Sequence, residues 1–365
     1  MAIVSLPAGV GEVQQYSGQQ GKMPHRTPAI SDAPVTGGSG LAAEVLPNAI
    51  VPTTTALDMA VALALGRQDG LAAVFAEAEQ LAGRSDVPAA VKTLLADLAA
   101  LRLGDSGEPT AADVVRALRL SGLFHESARQ GTPDLKGLLI ALRSELATWA
   151  GTRADTIVAA AGVPTARLQR PPPLGHGGPL RGQAVDDEAD LSTLDDVALA
   201  RRLAGSADRA LWRLFLHQAE HLASEEAGRS AGEAVAPAGH LVTELPVAGP
   251  TGTSIVGLRV ETDDRRTADG EFIGRVHRVE LAFDIAPLGP VTVRVGLMPG
   301  HRVAVGLWCD GDDATVRLDG EREAMSLGLT AAGLTVAGID LHHGRPAEPD
   351  EHRTAGKSHR LDVSV

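Results

Sequence analysis

The stretch from Arg278 to Leu341 constrains the fold most. It opens with strict alternation, Val279, Leu281, Phe283 and Ile285 on one face and Arg278, Glu280 and Asp284 on the other. That period of two is the signature of a half-buried β-strand, because successive side chains of an extended chain point to opposite sides. Pro287-Leu288-Gly289-Pro290 stops the run, and Val291, Val293, Val295 and Leu297 begin a second one. Pro299-Gly300 is a turn signal, after which Val303, Val305 and Leu307 make a third strand. The acidic loop Asp310-Gly311-Asp312-Asp313 supplies N-cap candidates for one helix expected to end near Ala332. Gly333 then stands at the C′ position, where a positive φ costs little. Leu334, Val336, Ile339 and Leu341 read as a closing strand whose phase breaks at Ala337-Gly338, as a bulge would break it. Three strands, a helix and a strand predict a small α+β unit.

Upstream, His240–Val247 and Ser254–Val260 flank Gly249-Pro-Thr-Gly252 and read as a hairpin. A helix is expected from 194 to 223, with Leu199, Leu203, Ala207, Leu211, Leu214, Gln218 and Leu222 on one face. Between Thr55 and Ala150 the texture is Ala/Leu-rich, and helical spacing predicts four amphipathic helices forming a small bundle. Residues 151–193, with Pro171-Pro172-Pro173 and several glycines, read as a linker. The arm 1–54 and the tail 344–365 hold no hydrophobic period and are expected to be disordered. The expected organisation is therefore arm 1–54, bundle 55–150, linker 151–193, helix 194–223, α+β domain 240–343 and tail 344–365.

Composition limits the functional classes. The formal net charge of −13 argues against nucleic-acid binding, which needs basic surface. Aromatic residues make up 2% of the chain, too few for base-stacking platforms. A single cysteine, Cys309, excludes a disulfide framework. The N-terminus lacks the basic and apolar regions of a cleaved secretory signal, and no apolar run is long enough for a membrane span.

Chemistry-bearing motifs are sparse. His217 and His221 are spaced as a helical zinc pair would be, but the His-Glu-x-x-His order and a third ligand are missing, so two surface histidines are expected. Ala355-Gly-Lys-Ser358 lacks the first glycine of a phosphate-binding loop. Cys309 ends an apolar strand beside an acidic loop, surroundings that do not favour a thiolate. No catalytic, cofactor or metal site is expected.

Two runs carry a resemblance. Pro287-Leu288-Gly289-Pro290-Val291-Thr292-Val293, following a strand, and Leu329-Thr330-Ala331-Ala332-Gly333-Leu334, closing a helix, resemble the C-terminal domain of flagellar hook-length control proteins. The segment Ala210–Leu222 and Glu244-Leu245-Pro246 also look like the extended form of that family, so the resemblance covers roughly 195–343. It implies a protein without cofactors, made in the cytoplasm and exported through the flagellar type III apparatus. Its C-terminal domain would contact an export-gate membrane protein and switch secretion from hook to filament subunits, with hook and hook-cap subunits as further partners. It would act as a monomer, with no direct membrane insertion. The expected contact residues are Pro287, Leu288, Gly289, Pro290, Val291, Leu329, Gly333 and Leu334, and each also has a purely structural reading as turn or core. The chain departs from the family where a helical stretch replaces the usual extended Pro-rich segment, which weakens a ruler role. The alternative is a non-enzymatic adaptor or assembly factor unrelated to flagella.

Overall fold

A six-stranded sheet in simple sequential order is the frame of the molecule. Its strands are β1 (His240–Gly249), β2 (Gly252–Arg266), β3 (Phe272–Ile285), β4 (Gly289–Met298), β5 (Arg302–Cys309) and β6 (Thr335–His343). The first five pair antiparallel, and β6 joins β5 in parallel. A parallel partner needs a crossover, and two helices supply it, α7 (Asp312–Gly320) and α8 (Arg322–Ala331). The computed structural model describes residues 56–105, 107–125, 133–153, 180–185, 191–230, 240–266 and 272–346. All of these fall in one compact unit, Thr54–Val365. The expected arm 1–54, most of the linker and the tail beyond 346 lie outside the described residues.

The register explains the alternation. Val279 lies opposite Val295 and Leu281 opposite Val293, and Val295 and Val293 in turn face Val305 and Leu307. The odd-numbered residues of β3 to β5 therefore build one apolar sheet face, which α7 and α8 cover over β4 and β5. Val303, Val305, Leu307 and Ile339 form the core there, with Met325, Leu329 and Leu334 packed against it. The phase break in β6 is a register shift between Val303 and Ala304 that skips Ala337, and Gly333 has φ +85°. The crossover corrects the expectation of one helix. It is two, broken at Gly320–Glu321, where a glycine weakens helix propagation and the Glu321 N–H turns back to the carbonyls of Arg317, Leu318 and Asp319.

Before the sheet lie α1 (Ala56–Arg67), α2 (Ala72–Ala82), α3 (Ala89–Ala99), α4 (Ala111–Leu120), α5 (Leu135–Trp149) and the long α6 (Asp196–Ser230). The apolar stripes of α2, α3, α5 and α6 converge on one core containing Phe75, Leu95, Leu142 and Leu203. Helix α4 does not join it. Its Ala117 and Leu118 pack instead against Leu245 and Leu258, on the same sheet face that α7 and α8 cover further along. Asp134 and Thr110 cap their helices as their sequence positions suggest, Thr110 within a reciprocal capping box with Asp113.

Helices α2 and α6 lie on the opposite sheet face, over β1 and β2. The segments expected as separate bundle and α+β domain are thus in direct contact. Part of the expected linker is also structured. Leu180 packs with Val242 and Ala282, and Gln183 pairs with Ile255 of β2. No single described helix is long and apolar enough to cross a membrane, and α1 and α2, apolar together, meet at 54°.

Candidate functional site

The eight residues singled out from the sequence gather around α7 and α8 but do not form one patch. Pro287 and Leu288 sit in the turn between β3 and β4, and Gly289 and Pro290 open β4. Pro287 and Pro290 are exposed, while Leu288 leans on a small core of Val291, Cys309 and Ala314. Val291 is only 6% exposed, and β4 continues into Val293, which touches both this core and the one beneath α8. Leu329 and Leu334 are half-buried in the latter, and Gly333 is exposed. Leu334 leads into β6, which starts beside Arg302, whereas the Pro287 turn lies beside Cys309 at the other end of β5. Those ends are about 23 Å apart at ~3.3 Å per strand residue. The set therefore frames the crossover helices from both ends.

The surface of the 315–334 helical stretch is also an expected contact region, and the structure shows which of its apolar residues point outward. Val316 on α7 is 72% exposed and Leu327 on α8 is 65% exposed. Neither belongs to a recognisable run, and both become conspicuous only once the inner face is assigned to Ala314, Leu318, Met325 and Leu329.

Elsewhere the notable chemistry is buried. Glu244 of β1 is 1% exposed under α6. The guanidinium of Arg213 donates to it twice, Nε to Oε2 at 3.0 Å and Nη2 to Oε1 at 2.7 Å, and His217 Nε2 lies 3.3 Å from Oε2. Gln183 Nε2 donates to Oε1 at 2.7 Å, and Arg213 Nη1 donates to Gln68 at 2.7 Å. Burial alone would push the Glu244 carboxyl up. The Arg213 charge, the His217 ring and the Arg213 hydrogen bonds outweigh it and hold the carboxyl well below the usual carboxylate range. His217, expected on the surface, is 1% exposed. The correction has a simple cause: helical spacing gives the face of a residue but not what that face meets, and here it meets β1. His221, one turn on, is half-exposed and faces the His240 carbonyl.

This arrangement orients and neutralises a carboxylate that is buried between α6 and β1. Among the described residues no group of three His, Cys, Asp or Glu side chains is placed to hold a metal. The Cys309 thiol is buried against the Thr315 hydroxyl, 3.2 Å away. Trp308 is no open stacking platform, since His342 stacks on it at 4.7 Å and the Arg294 guanidinium lies 5.5 Å from its ring.

Comparison of the chain with protein-family models, with curated proteins and with solved structures finds no match.

Proposed function

We propose that this chain is a non-enzymatic export-switch protein of the flagellar hook-length control type. Its α+β part would bind a membrane protein of the type III export gate and bias it toward filament-type substrates. What supports the reading is the order of parts around the crossover: strand, Pro287–Pro290 turn, two further antiparallel strands, helices closing on Leu329 to Leu334, and a parallel last strand. The exposed turn at Pro287 and the outward Val316 and Leu327 offer the contact surface. Such a protein works by differential affinity for two states of its partner, with no bond made or broken.

On this reading the N-terminal helices form a bundle carried on a Pro/Gly linker, and the chain leaves the cytoplasm through the apparatus it regulates, meeting hook and hook-cap subunits on the way. Deleting the gene and measuring hooks by electron microscopy tests it. Overlong hooks without filaments are expected, and unaltered flagella would refute it. Flexible insertions at Gly178 would then separate a ruler, whose hooks lengthen with each insertion, from a pure switch.

One observation favours the adaptor alternative. Helices α2 and α6 fold back over the sheet through buried polar contacts, which suits a compact binding module better than an extended spacer. Intact flagella in the deletion strain would select it.

A further inference from the structure

The segment Leu180–Val185 lies in a notch where β3 stops pairing with β2. The β2–β3 ladder ends at Gly257 and Ala282. Beyond it the N–H of Ile255 donates to the Gln183 carbonyl at 2.9 Å, and the Gln183 N–H donates back to the Ile255 carbonyl at 2.8 Å. Those are the reciprocal bonds of an added strand, here supplied by a segment flanked by proline- and glycine-rich sequence on one side and an acidic run on the other.

Three sub-sites hold it. Leu180, 7% exposed, fills a pocket between Val242 and Ala282 that exists because Gly257 has no Cβ: one placed there would lie 2.8 Å from Leu180 Cγ. Gly182 crosses the end of β3 so closely that a Cβ on it would fall 2.5 Å from Asp284 N and 2.7 Å from Phe283 Cα. The Gln183 amide, 7% exposed, donates to Glu244 and accepts from the Ala72 N–H at 3.0 Å. An apolar side chain, a glycine and a glutamine at positions one, three and four are thus read by pocket, by clearance and by hydrogen bonds.

We propose that this notch is a peptide-recognition site, and that Leu180–Val185 is its resident, displaceable ligand. Its other occupant is an extended segment with the same apolar-x-Gly-Gln pattern, added by strand pairing as in β-augmentation. The resident segment gains from tethering, which gives it a high effective concentration against any ligand added in trans. The inference does not rest on the flagellar reading.

The clearance at Gly182 makes a clean test, because Gly182→Ala alters the resident segment and leaves the notch unchanged. A fluorescent peptide of sequence Leu-Arg-Gly-Gln-Ala-Val is titrated into the full-length wild type and the full-length variant. The variant is expected to keep its circular dichroism and to bind the peptide at least tenfold more tightly than wild type does. A peptide with alanine for its glycine should bind neither. Replacing the peptide's glutamine by alanine should weaken binding roughly tenfold or more, since Glu244 and the Ala72 amide lose a buried partner. Gln183→Ala in the full chain provides the same comparison should Gly182→Ala not fold. A folded variant that fails to bind, or loss of fold in both variants, would overturn the proposal, because the segment would then be an integral part of the core.

Discussion

Arg213 of α6 and Glu244 of β1 form a two-point ion pair, with the guanidinium 3% and the carboxylate 1% exposed. It links α6 to β1 at the edge of the helical core. Among the described residues Ile255 is the one strand residue in the helical core. Arg102, Glu79 and Thr253 add a second polar contact beside α2, while α4 meets the other sheet face through Ala117 and Leu118 against Leu245 and Leu258.

Removing one partner of a buried pair leaves an uncompensated charge, which costs about 3–5 kcal/mol. Glu244→Ala is therefore expected to lower the melting temperature by roughly 10 °C. Replacing both partners by apolar residues of similar volume, as in Arg213→Met with Glu244→Leu, should recover most of the loss. A double variant as unstable as the single one would show that the remaining partners, Gln183, Gln68 and His217, depend on the charges.

The same carboxyl sets a pH dependence. Its folded-state pKa lies below the ordinary 4.5, so its stabilisation is complete above that pH. It drains as pH falls further, where the unfolded chain takes up the proton first. Chemical denaturation between pH 6 and pH 3 should show wild type losing stability below about pH 4.5. Glu244→Gln, less stable throughout, should show a shallower slope in that window. Equal slopes would place the acid sensitivity elsewhere.

Asp284 works in the opposite sense. Burial beside Gly182 raises its pKa, so its ionised form is disfavoured in the folded state and it subtracts stability as pH rises through that value. Asp284→Asn should raise the melting temperature slightly at pH 7 and leave it unchanged at pH 3. A drop at pH 7 would mean that the charge has a favourable partner.

The two faces of the crossover helices should separate stability from function. Leu334→Asp puts a charge into the core of Val303, Val305 and Ile339 and should cost several kcal/mol, read as an early thermal transition. Val316→Asp and Leu327→Asp, on exposed positions, should change stability by no more than about 0.5 kcal/mol yet weaken capture of an export-gate cytoplasmic domain. Unchanged capture with both variants would move the contact off these helices.

The segment Arg278–Leu341 was legible because each strand there is half-buried against one layer, so its alternation survives in the sequence. The glycine at C′ and the break at Ala337 were legible for the same local reason: both are backbone geometries with few residues able to adopt them. Helix α6 was also legible, but not its surroundings. Its apolar face named the helical core, while His217 read as an ordinary surface residue and Arg213 drew no reading, since nothing local records that β1 would lie over them. The segment 180–185 was hidden most completely. A leucine, a glycine and a glutamine within a proline- and glycine-rich stretch carry no period, and their fit depends on Gly257, Ala282 and Glu244, some 60 to 100 residues away. Local sequence determined which stretches become strands and helices, through propensity and period. Only the tertiary structure decided which polar groups are buried, because burial is set by whichever distant element packs on top, and a buried charge persists only where that element brings its partner.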